Sequence, residues 1–207
     1  MAPPACRVVF LDAVTFGDVS LERFINQWNC VVHRLSSPVE VRQRLQGHQV
    51  AVINKVQIDR SVLDSPAAKD LKLIAVAATG TDNVDLDAAR NRGISVCNVP
   101  GYAAQSVSQF TIALILELAT RAGGYTELVR RGAWEQSPIY TRIDFSTTEL
   151  SGKKLVIIGY GNIGRRVAEM ARALGMEVVI SARPGSSDAV PAGRLTLKDL
   201  FLSADFV

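Results

Sequence analysis

The chain has 207 residues, of which 48% are hydrophobic and 21% are charged, and its formal net charge is +3 at pH 7. This composition is typical of globular domains, and the length allows one large domain or two small ones. The basic residues are scattered pairs and form no continuous stripe, which argues against a nucleic-acid groove. The longest apolar stretch, residues 110–119, is too short to cross a bilayer. We therefore expect neither a nucleic-acid partner nor a membrane.

The cysteine pattern indicates the compartment. Cys6, Cys30 and Cys97 are odd in number and far apart in the sequence. Such a pattern is typical of reduced thiols, and it fits neither a disulfide framework nor a zinc site. The N-terminal residues also lack the layout of a signal peptide. We expect a cytoplasmic protein.

The first hundred residues alternate between short apolar strands and helical segments. Strands are predicted at 7–11, 30–34, 49–54, 73–78 and 94–99, and helices at 21–28, 38–45, 60–63 and 86–92. Continuous apolar strands separated by helices are typical of a parallel sheet that is covered on both faces. We therefore predict a first α/β domain over residues 1–100.

The second predicted domain, residues 101–207, begins with a long helix at 103–122, which Gly123 and Gly124 end. This helix is apolar almost all round, so we expect it to be buried. There follow a helix at 125–131, an irregular segment at 132–150, a strand at 154–158, a turn at 159–164, a helix at 165–174, a strand at 177–181, a short helix at 197–202 and the start of a strand at 205–207. A doubly wound dinucleotide domain needs more strands than these, so we expect an incomplete Rossmann domain.

One turn of the second domain reads Gly-Tyr-Gly-Asn-Ile-Gly and lies between an apolar strand and a helix, the context that a dinucleotide-binding motif requires. Gly159 permits the tight turn, Gly161 lets a pyrophosphate approach the backbone, and Gly164 lets the helix pack closely on the strand. The amides at the helix start, including those of Asn162 and Ile163, would face the phosphates. We predict a nicotinamide dinucleotide site, with a turn that binds no ligand as the alternative.

The end of the next strand distinguishes NAD from NADP. NAD-binding units usually carry Asp or Glu there, about 20 residues beyond the glycine turn, to bind the ribose 2′-hydroxyl. Here the residue is Ala182, flanked by Ser181 and Arg183. A missing carboxylate and a neighbouring arginine favour a 2′-phosphate, so we predict NADP over NAD. The alternative is that Arg183 merely points into solvent.

Six segments of the sequence together carry a resemblance to a known family. They are residues 54–56, 73–85, 93–102, 106–109, 150–155 and 203–207. With the glycine turn, they resemble the D-isomer-specific 2-hydroxyacid dehydrogenases, in particular the glycerate dehydrogenase or hydroxypyruvate reductase branch. The resemblance covers nearly the whole chain. It implies a flavodoxin-like substrate domain, a Rossmann cofactor domain inserted within it, and a homodimer in the full-length protein.

The resemblance also assigns site residues. Backbone amides of Thr79 and Gly80 would hold the substrate carboxylate, since a glycine allows close approach to the backbone. Lys55 would add a positive charge near the substrate, and Thr79 and Val107 would contact the cofactor. The polar side chains that follow are interpreted as turn and helix-capping residues: Asp82, Asn83 and Asp85.

Catalytic residues are not expected in this chain. In the family, the catalytic Arg, Glu and His follow the strand that residues 205–207 resemble. His33 and His48 lie outside every segment named above and are interpreted as structural or surface residues. We expect either a C-terminally truncated version of a full enzyme or a short product that is itself inactive.

The function implied for the full-length protein is NAD(P)H-dependent reduction of a small 2-keto acid, hydroxypyruvate or glyoxylate, to the D-2-hydroxy acid, or the reverse reaction. Two alternatives remain open. One is a non-enzymatic, dinucleotide-sensing interaction protein such as the transcriptional corepressors of this fold. The other is a different dehydrogenase of the superfamily, acting on formate or phosphonate.

Overall fold

The computed structural model describes residues 6–182 and 200–207. The chain forms two compact units, Met1–Tyr102 and Ala103–Val207. Among the described residues, no helix is both long and apolar enough to cross a membrane. Part of the predicted helix at 197–202 lies outside the described residues.

The first unit is built on a parallel sheet of five strands. The strands are β1 (Arg7–Phe10), β2 (Asn29–Val32), β3 (Val50–Ile53), β4 (Leu73–Val76) and β5 (Ser95–Cys97), and they lie in the order β2-β1-β3-β4-β5. The connecting helices are α1 (Glu22–Gln27), α2 (Pro38–Leu45), α3 (Arg60–Leu63) and α4 (Leu86–Asn91). This strand order is that of flavodoxin-like folds, so the predicted fold class is confirmed for this unit.

The core of the first unit lies between the central strands and their helices. Val9, Ile53 and Ile74 of three neighbouring strands are fully buried, and Leu45 and Leu63 of the helices pack in the same cluster. In β3 and β4 alternate residues are buried, whereas three consecutive residues of β1 are buried, as expected for a central strand that is covered on both faces. The buried side chains of the sheet thus hold the strands in place, and the loops at the carboxyl ends of the strands lie outside this core.

Local sequence signals explain where the helices of the first unit begin. At the start of α2, the backbone amide of Ser37 donates to Glu40 Oε2 at 2.8 Å, which forms a capping box, and Pro38 occupies the first helical position. At the start of α4, Asp85 accepts a hydrogen bond from the amide of Ala88 at 2.8 Å. These caps fix the loops that enter both helices.

The second unit contains two parallel strands and three helices in its described part: α5 (Ala104–Thr120), α6 (Ala122–Arg130), β6 (Lys154–Ile157), α7 (Asn162–Ala173) and β7 (Glu177–Ile180). β7 pairs with one edge of β6, and its Val178 lies opposite Leu155. Phe206 also forms a parallel bridge with Leu155. Because a strand residue has one neighbour on each side, β7 and Phe206 flank β6 on opposite edges. This is the doubly wound arrangement that was predicted.

The long helix of this unit departs from prediction in two ways. The glycines do not end it: the break falls at Arg121, whose φ is +56°, and Gly123 and Gly124 lie inside α6. A Cβ on Gly124 would come within 2.8 Å of Phe145 Cε2, so a glycine is needed there for close packing.

The second departure concerns burial. Only one face of α5 is buried, and Ile112 and Ile115 lie on it. The opposite apolar face is exposed, with Phe110 at 65% and Leu118 at 64% exposure. The prediction of a helix buried almost all round is therefore wrong for this face, because sequence hydrophobicity does not reveal which partner covers an apolar side chain.

Candidate functional site

The glycine turn after β6 has the geometry that its sequence predicted. Gly159 has a φ of +97°, a conformation that L side chains rarely adopt. A Cβ on Gly164 would lie 2.1 Å from the carbonyl oxygen of Gly159 and 3.2 Å from Ile157 Cγ2. The turn and the close contact of α7 with β6 therefore both require glycine. A Cβ on Gly161 would meet nothing within 4 Å, so this position faces open space.

The amino end of α7 presents free backbone donors to that space. Gly161 occupies the N-cap position, and no side chain caps the helix. The first intrahelical bond runs from the amide of Arg165 to the carbonyl oxygen of Gly161 at 3.0 Å. The preceding amides of Asn162, Ile163 and Gly164 have no intrahelical partner, and the helix dipole gives this end a partial positive charge. Such an end can hold a phosphate without any further group.

The side chain of Arg165 adds a full positive charge beside this turn. Its Nε donates to the carbonyl oxygen of Tyr160 at 3.2 Å, and its guanidinium lies 5.7 Å from the centre of the Tyr160 ring. The backbone bond and the ring contact hold the cation near the loop of the motif. A dianionic pyrophosphate therefore finds backbone amides and a nearby cation together.

The turn also lies where the sheet topology favours a ligand. β7 and Phe206 flank β6 on opposite edges, so the strand order reverses at β6. In open α/β sheets, ligands bind in the crevice beyond the carboxyl ends of the strands at this reversal. An apolar groove of about 670 Å³ lies alongside, and its lining includes Thr111, Leu114, Leu118, Ile163 and Val207. The donors and the topology fit a dinucleotide.

Val107, a predicted cofactor contact, does not line this groove. It is exposed on α5, one helical turn before Thr111, and its carbonyl oxygen accepts a hydrogen bond from Thr111 Oγ1 at 2.8 Å. A contact of Val107 with the cofactor therefore remains a prediction.

The end of β7 carries the residues that bear on cofactor choice. Ser181 is 2% exposed, its amide donates to the carbonyl oxygen of Ile157 at 3.0 Å, and its Oγ has no hydrogen-bond partner among the described residues. Ala182 is half-buried. Arg183 lies outside the described residues, so the structure does not test its predicted role.

A second, polar cleft lies in the first unit, at the carboxyl ends of β3 and β4. Its volume is about 230 Å³, and its lining residues are Asn54, Lys55, Gln57, Ala78, Gly80, Asp82 and Asn83. The fold thus brings Lys55 and Gly80 together, although 25 positions separate them in the sequence. A Cβ on Gly80 would approach only Asp82 Oδ2, at 3.3 Å, so glycine leaves this backbone accessible. A small carboxylate would meet one lysine, an open backbone and the side chain of Asp82 here.

Thr79 contributes to this region through hydrogen bonds within the loops. Its Oγ1 donates to the carbonyl oxygen of Val99 at 3.2 Å, and its carbonyl oxygen accepts from Asn98 Nδ2 at 2.7 Å. Thr79 is not among the lining residues of the cleft. Its side chain therefore ties the loop after β4 to the chain that follows β5.

The polar residues next to Gly80 have different roles. Asp85 caps α4, as interpreted from the sequence. Asn83 connects two loops, since its Nδ2 donates to the carbonyl oxygens of Val56 at 2.8 Å and Asn54 at 3.3 Å. Asp82 lines the cleft together with Lys55, so the cleft contains both signs of charge.

One residue that holds a loop of this cleft was not predicted from the sequence. Asp12, just beyond β1, is fully buried, and its carboxylate accepts hydrogen bonds from the backbone amides of Asn54, Lys55 and Val56. An acidic residue at the carboxyl end of an apolar strand was the available signal. Its contact with the loop after β3 depends on the pairing of β1 with β3, which the sequence does not specify.

The histidines lie outside both clefts. His33 follows β2, and burial together with the nearby charge of Arg44 lowers its pKa. His48 follows α2, and its Nδ1 is buried without a partner among the described residues. Within residues 6–182 and 200–207, no group of three or more His, Cys, Asp or Glu side chains could hold a metal ion.

Several known proteins are similar to this chain in sequence. The family model described as "D-isomer specific 2-hydroxyacid dehydrogenase, catalytic domain" matches residues 8–186. Glycerate dehydrogenase of Methylorubrum extorquens is 39% identical over 179 residues, which are 84% of this chain and 54% of that protein. Hydroxypyruvate reductase of Blautia hydrogenotrophica is 34% identical over 178 residues, which are 84% of this chain and 55% of that protein.

The fold is shared as well. The crystal structure of TT0316 protein from Thermus thermophilus superposes with a TM-score of 0.76 at 31% identity, over 96% of this chain and 62% of that chain. The chain spans about half the length of the curated relatives it matches. With a family match that runs from β1 to beyond β7, and with the glycine turn and polar cleft described above, the chain belongs to the D-isomer-specific 2-hydroxyacid dehydrogenases.

Proposed function

We propose that this chain supplies the substrate domain and the opening part of the cofactor domain of an NAD(P)H-dependent reductase of small 2-keto acids. The observation that carries the proposal is the uncapped amino end of α7, behind a turn that requires glycine at Gly159 and Gly164. Two similar proteins are a glycerate dehydrogenase and a hydroxypyruvate reductase. We therefore propose hydroxypyruvate or glyoxylate as the substrate, reduced to the D-2-hydroxy acid, or the reverse reaction.

Each site has a defined part in this proposal. The amides of Asn162, Ile163 and Gly164 bind the pyrophosphate, and a bound nicotinamide cofactor supplies the hydride. In the first unit, the backbone at Gly80 and the ammonium group of Lys55 bind the substrate carboxylate. A carboxylate held by a backbone donor and a cation has its keto carbon fixed in position, which is the contribution of this unit to the reaction.

NADP is proposed as the preferred cofactor. Support comes from the end of β7, where Ala182 stands in place of an acidic side chain. A carboxylate at this position would repel the 2′-phosphate of NADP and bind the 2′-hydroxyl of NAD.

A homodimer and a cytoplasmic location are part of the proposal for the whole protein. The exposed apolar face of α5 that carries Phe110 supports a second copy as its partner, since large exposed apolar patches mark interaction sites. The cytoplasmic location rests on the three free cysteines.

The experiment that tests the proposal is a titration of the chain with NADPH and NADH, followed by nucleotide fluorescence. Gly161→Ala adds a Cβ that meets nothing within 4 Å, so the fold is kept while the new methyl group blocks the phosphate approach. We expect an increase in Kd of about tenfold or more, the equivalent of at least one lost charge-assisted hydrogen bond. Ala173→Val, at the other end of α7, is the matched control and leaves Kd unchanged. Equal Kd values for all three proteins would contradict the proposed site.

A further inference from the structure

The fully buried carboxylate of Asp12 is a group that the proposed chemistry does not use. Its Oδ2 accepts hydrogen bonds from the amides of Lys55 at 2.5 Å and Val56 at 3.0 Å. The amide of Asn54 is shared between Oδ1 at 3.0 Å and Oδ2 at 3.1 Å. Three consecutive amides therefore point at one carboxylate, and both of its oxygens are satisfied.

A carboxylate in this position is costly unless its bonds are complete. Moving a charged group out of water is unfavourable, and hydrogen bonds to the charge must offset the loss. Bonds of this kind are shorter and stronger than bonds between neutral groups. Asp12 therefore restrains the loop at residues 54–56 more strongly than a neutral acceptor would.

The same loop is held from its other side. Asn83 Nδ2 donates to the carbonyl oxygens of Val56 at 2.8 Å and Asn54 at 3.3 Å. Asp12 binds the backbone amides of residues 54–56, and Asn83 binds two of the backbone carbonyl groups of the same residues. Together these bonds fix the orientation of the peptide planes in the loop. The side chain of Lys55 remains exposed at the cleft that Gly80 also lines.

We infer that Asp12 is a positioning residue, whose buried carboxylate holds residues 54–56 so that Lys55 faces Gly80 across the substrate cleft. Asp12 is fully buried, so it acts on the substrate only through this loop. The inference rests on the proposed function, because it assigns the cleft to the substrate carboxylate.

Asp12→Asn tests this role. An asparagine keeps the shape of the side chain but has one acceptor oxygen, and its NH₂ group faces an amide that also donates. With the NH₂ group at the Oδ1 position, the amide of Asn54 faces a donor at one of its two contacts, and all three amide bonds lose the negative charge that strengthens them, so the loop becomes more mobile. Lys55 then spends less time at the cleft, and a small carboxylate binds more weakly.

The assay is NMR on the full chain with oxamate, an isostere of a small 2-keto acid, as the probe. In the wild type we expect slow hydrogen exchange at the amides of residues 54–56 without any ligand. In Asp12→Asn we expect the hydrogen-exchange rates of these amides to rise about tenfold. The Kd for oxamate should rise by the same factor, the equivalent of one lost hydrogen bond to a charge. Asp59→Ala is the matched control. Its carboxylate also accepts an amide bond, from Val62 at 2.9 Å, but it is not a lining residue of the cleft.

The outcomes separate the inference from the proposed function. If the wild type binds oxamate and Asp12→Asn binds it equally well, Asp12 serves the fold alone and the inference is wrong. If the wild type does not bind oxamate at the cleft, the proposed substrate site itself is contradicted. Should Asp12→Asn not fold, Asn83→Ala loosens the same loop from its carbonyl side, and an unchanged Kd in that variant overturns the inference.

Discussion

The contact between Gly164 and the carbonyl oxygen of Gly159 leads to a prediction about stability. In Gly164→Ala the new methyl carbon would lie 2.1 Å from that oxygen. Non-bonded heavy atoms pack at about 3.5 Å, so α7 and the turn must separate by roughly 1.4 Å. The oxygen belongs to the backbone and a Cβ is fixed directly to it, so neither atom can turn away as the tip of a side chain would. We therefore expect a loss of about 3 kcal/mol in the free energy of unfolding, the upper part of the usual range for overpacking.

Gly161→Ala is the matched control in the same turn. Its Cβ would meet nothing within 4 Å and its φ is −84°, so we expect a change within about 0.5 kcal/mol. The chain has two tryptophans, Trp28 in the first unit and Trp134 in the second. Urea unfolding in a Trp28→Phe background, followed by the fluorescence of Trp134, reports the second unit. Equal stabilities of the two alanine variants would refute the close-packing argument.

The remaining predictions concern the cofactor, association and pH. NADPH should bind more tightly than NADH, and Ala182→Asp should weaken NADPH binding about tenfold in a fluorescence titration; a tighter NADH complex in the wild type contradicts this. Phe110→Ser should reduce self-association in sedimentation velocity with little effect on melting, since this side chain is exposed and does not line the groove beside the glycine turn. The hydrogen bond from the amide of Lys154 lowers the pKa of Asp205. The stabilisation that ionised Asp205 gives the folded chain is therefore complete above about pH 4, and it is lost as the pH falls through the lowered pKa. Asp205→Asn should remove this acid dependence of the melting temperature, and an unchanged pH profile would count against it.

Local patterns explain why much of this fold could be predicted. The strands of the first unit are short apolar runs bounded by polar turns, and each signal is contained within a few residues. The glycine turn is local as well: the φ of Gly159 and the close approach of Gly164 depend on residues at most seven positions away. Such features follow from nearby sequence, and the structure has them where they were predicted.

Features that depend on distant contacts were missed. Gly124 packs on Phe145, so its absent side chain signals a contact and not a helix end. Asp12 meets Asn54 across 42 positions, through the pairing of β1 with β3. The exposure of Phe110 has a related cause, since periodicity marks an apolar face without saying what covers it.

The central claim is that the amino end of α7 binds the pyrophosphate of a nicotinamide dinucleotide. The most direct measurement is an NMR titration of the isotope-labelled chain with NADPH. The account predicts that the amide signals of Asn162, Ile163 and Gly164 shift with the largest amplitude and along one saturable curve. Saturable shifts confined to other residues, or no shifts at these three amides with either NADPH or NADH, would contradict it.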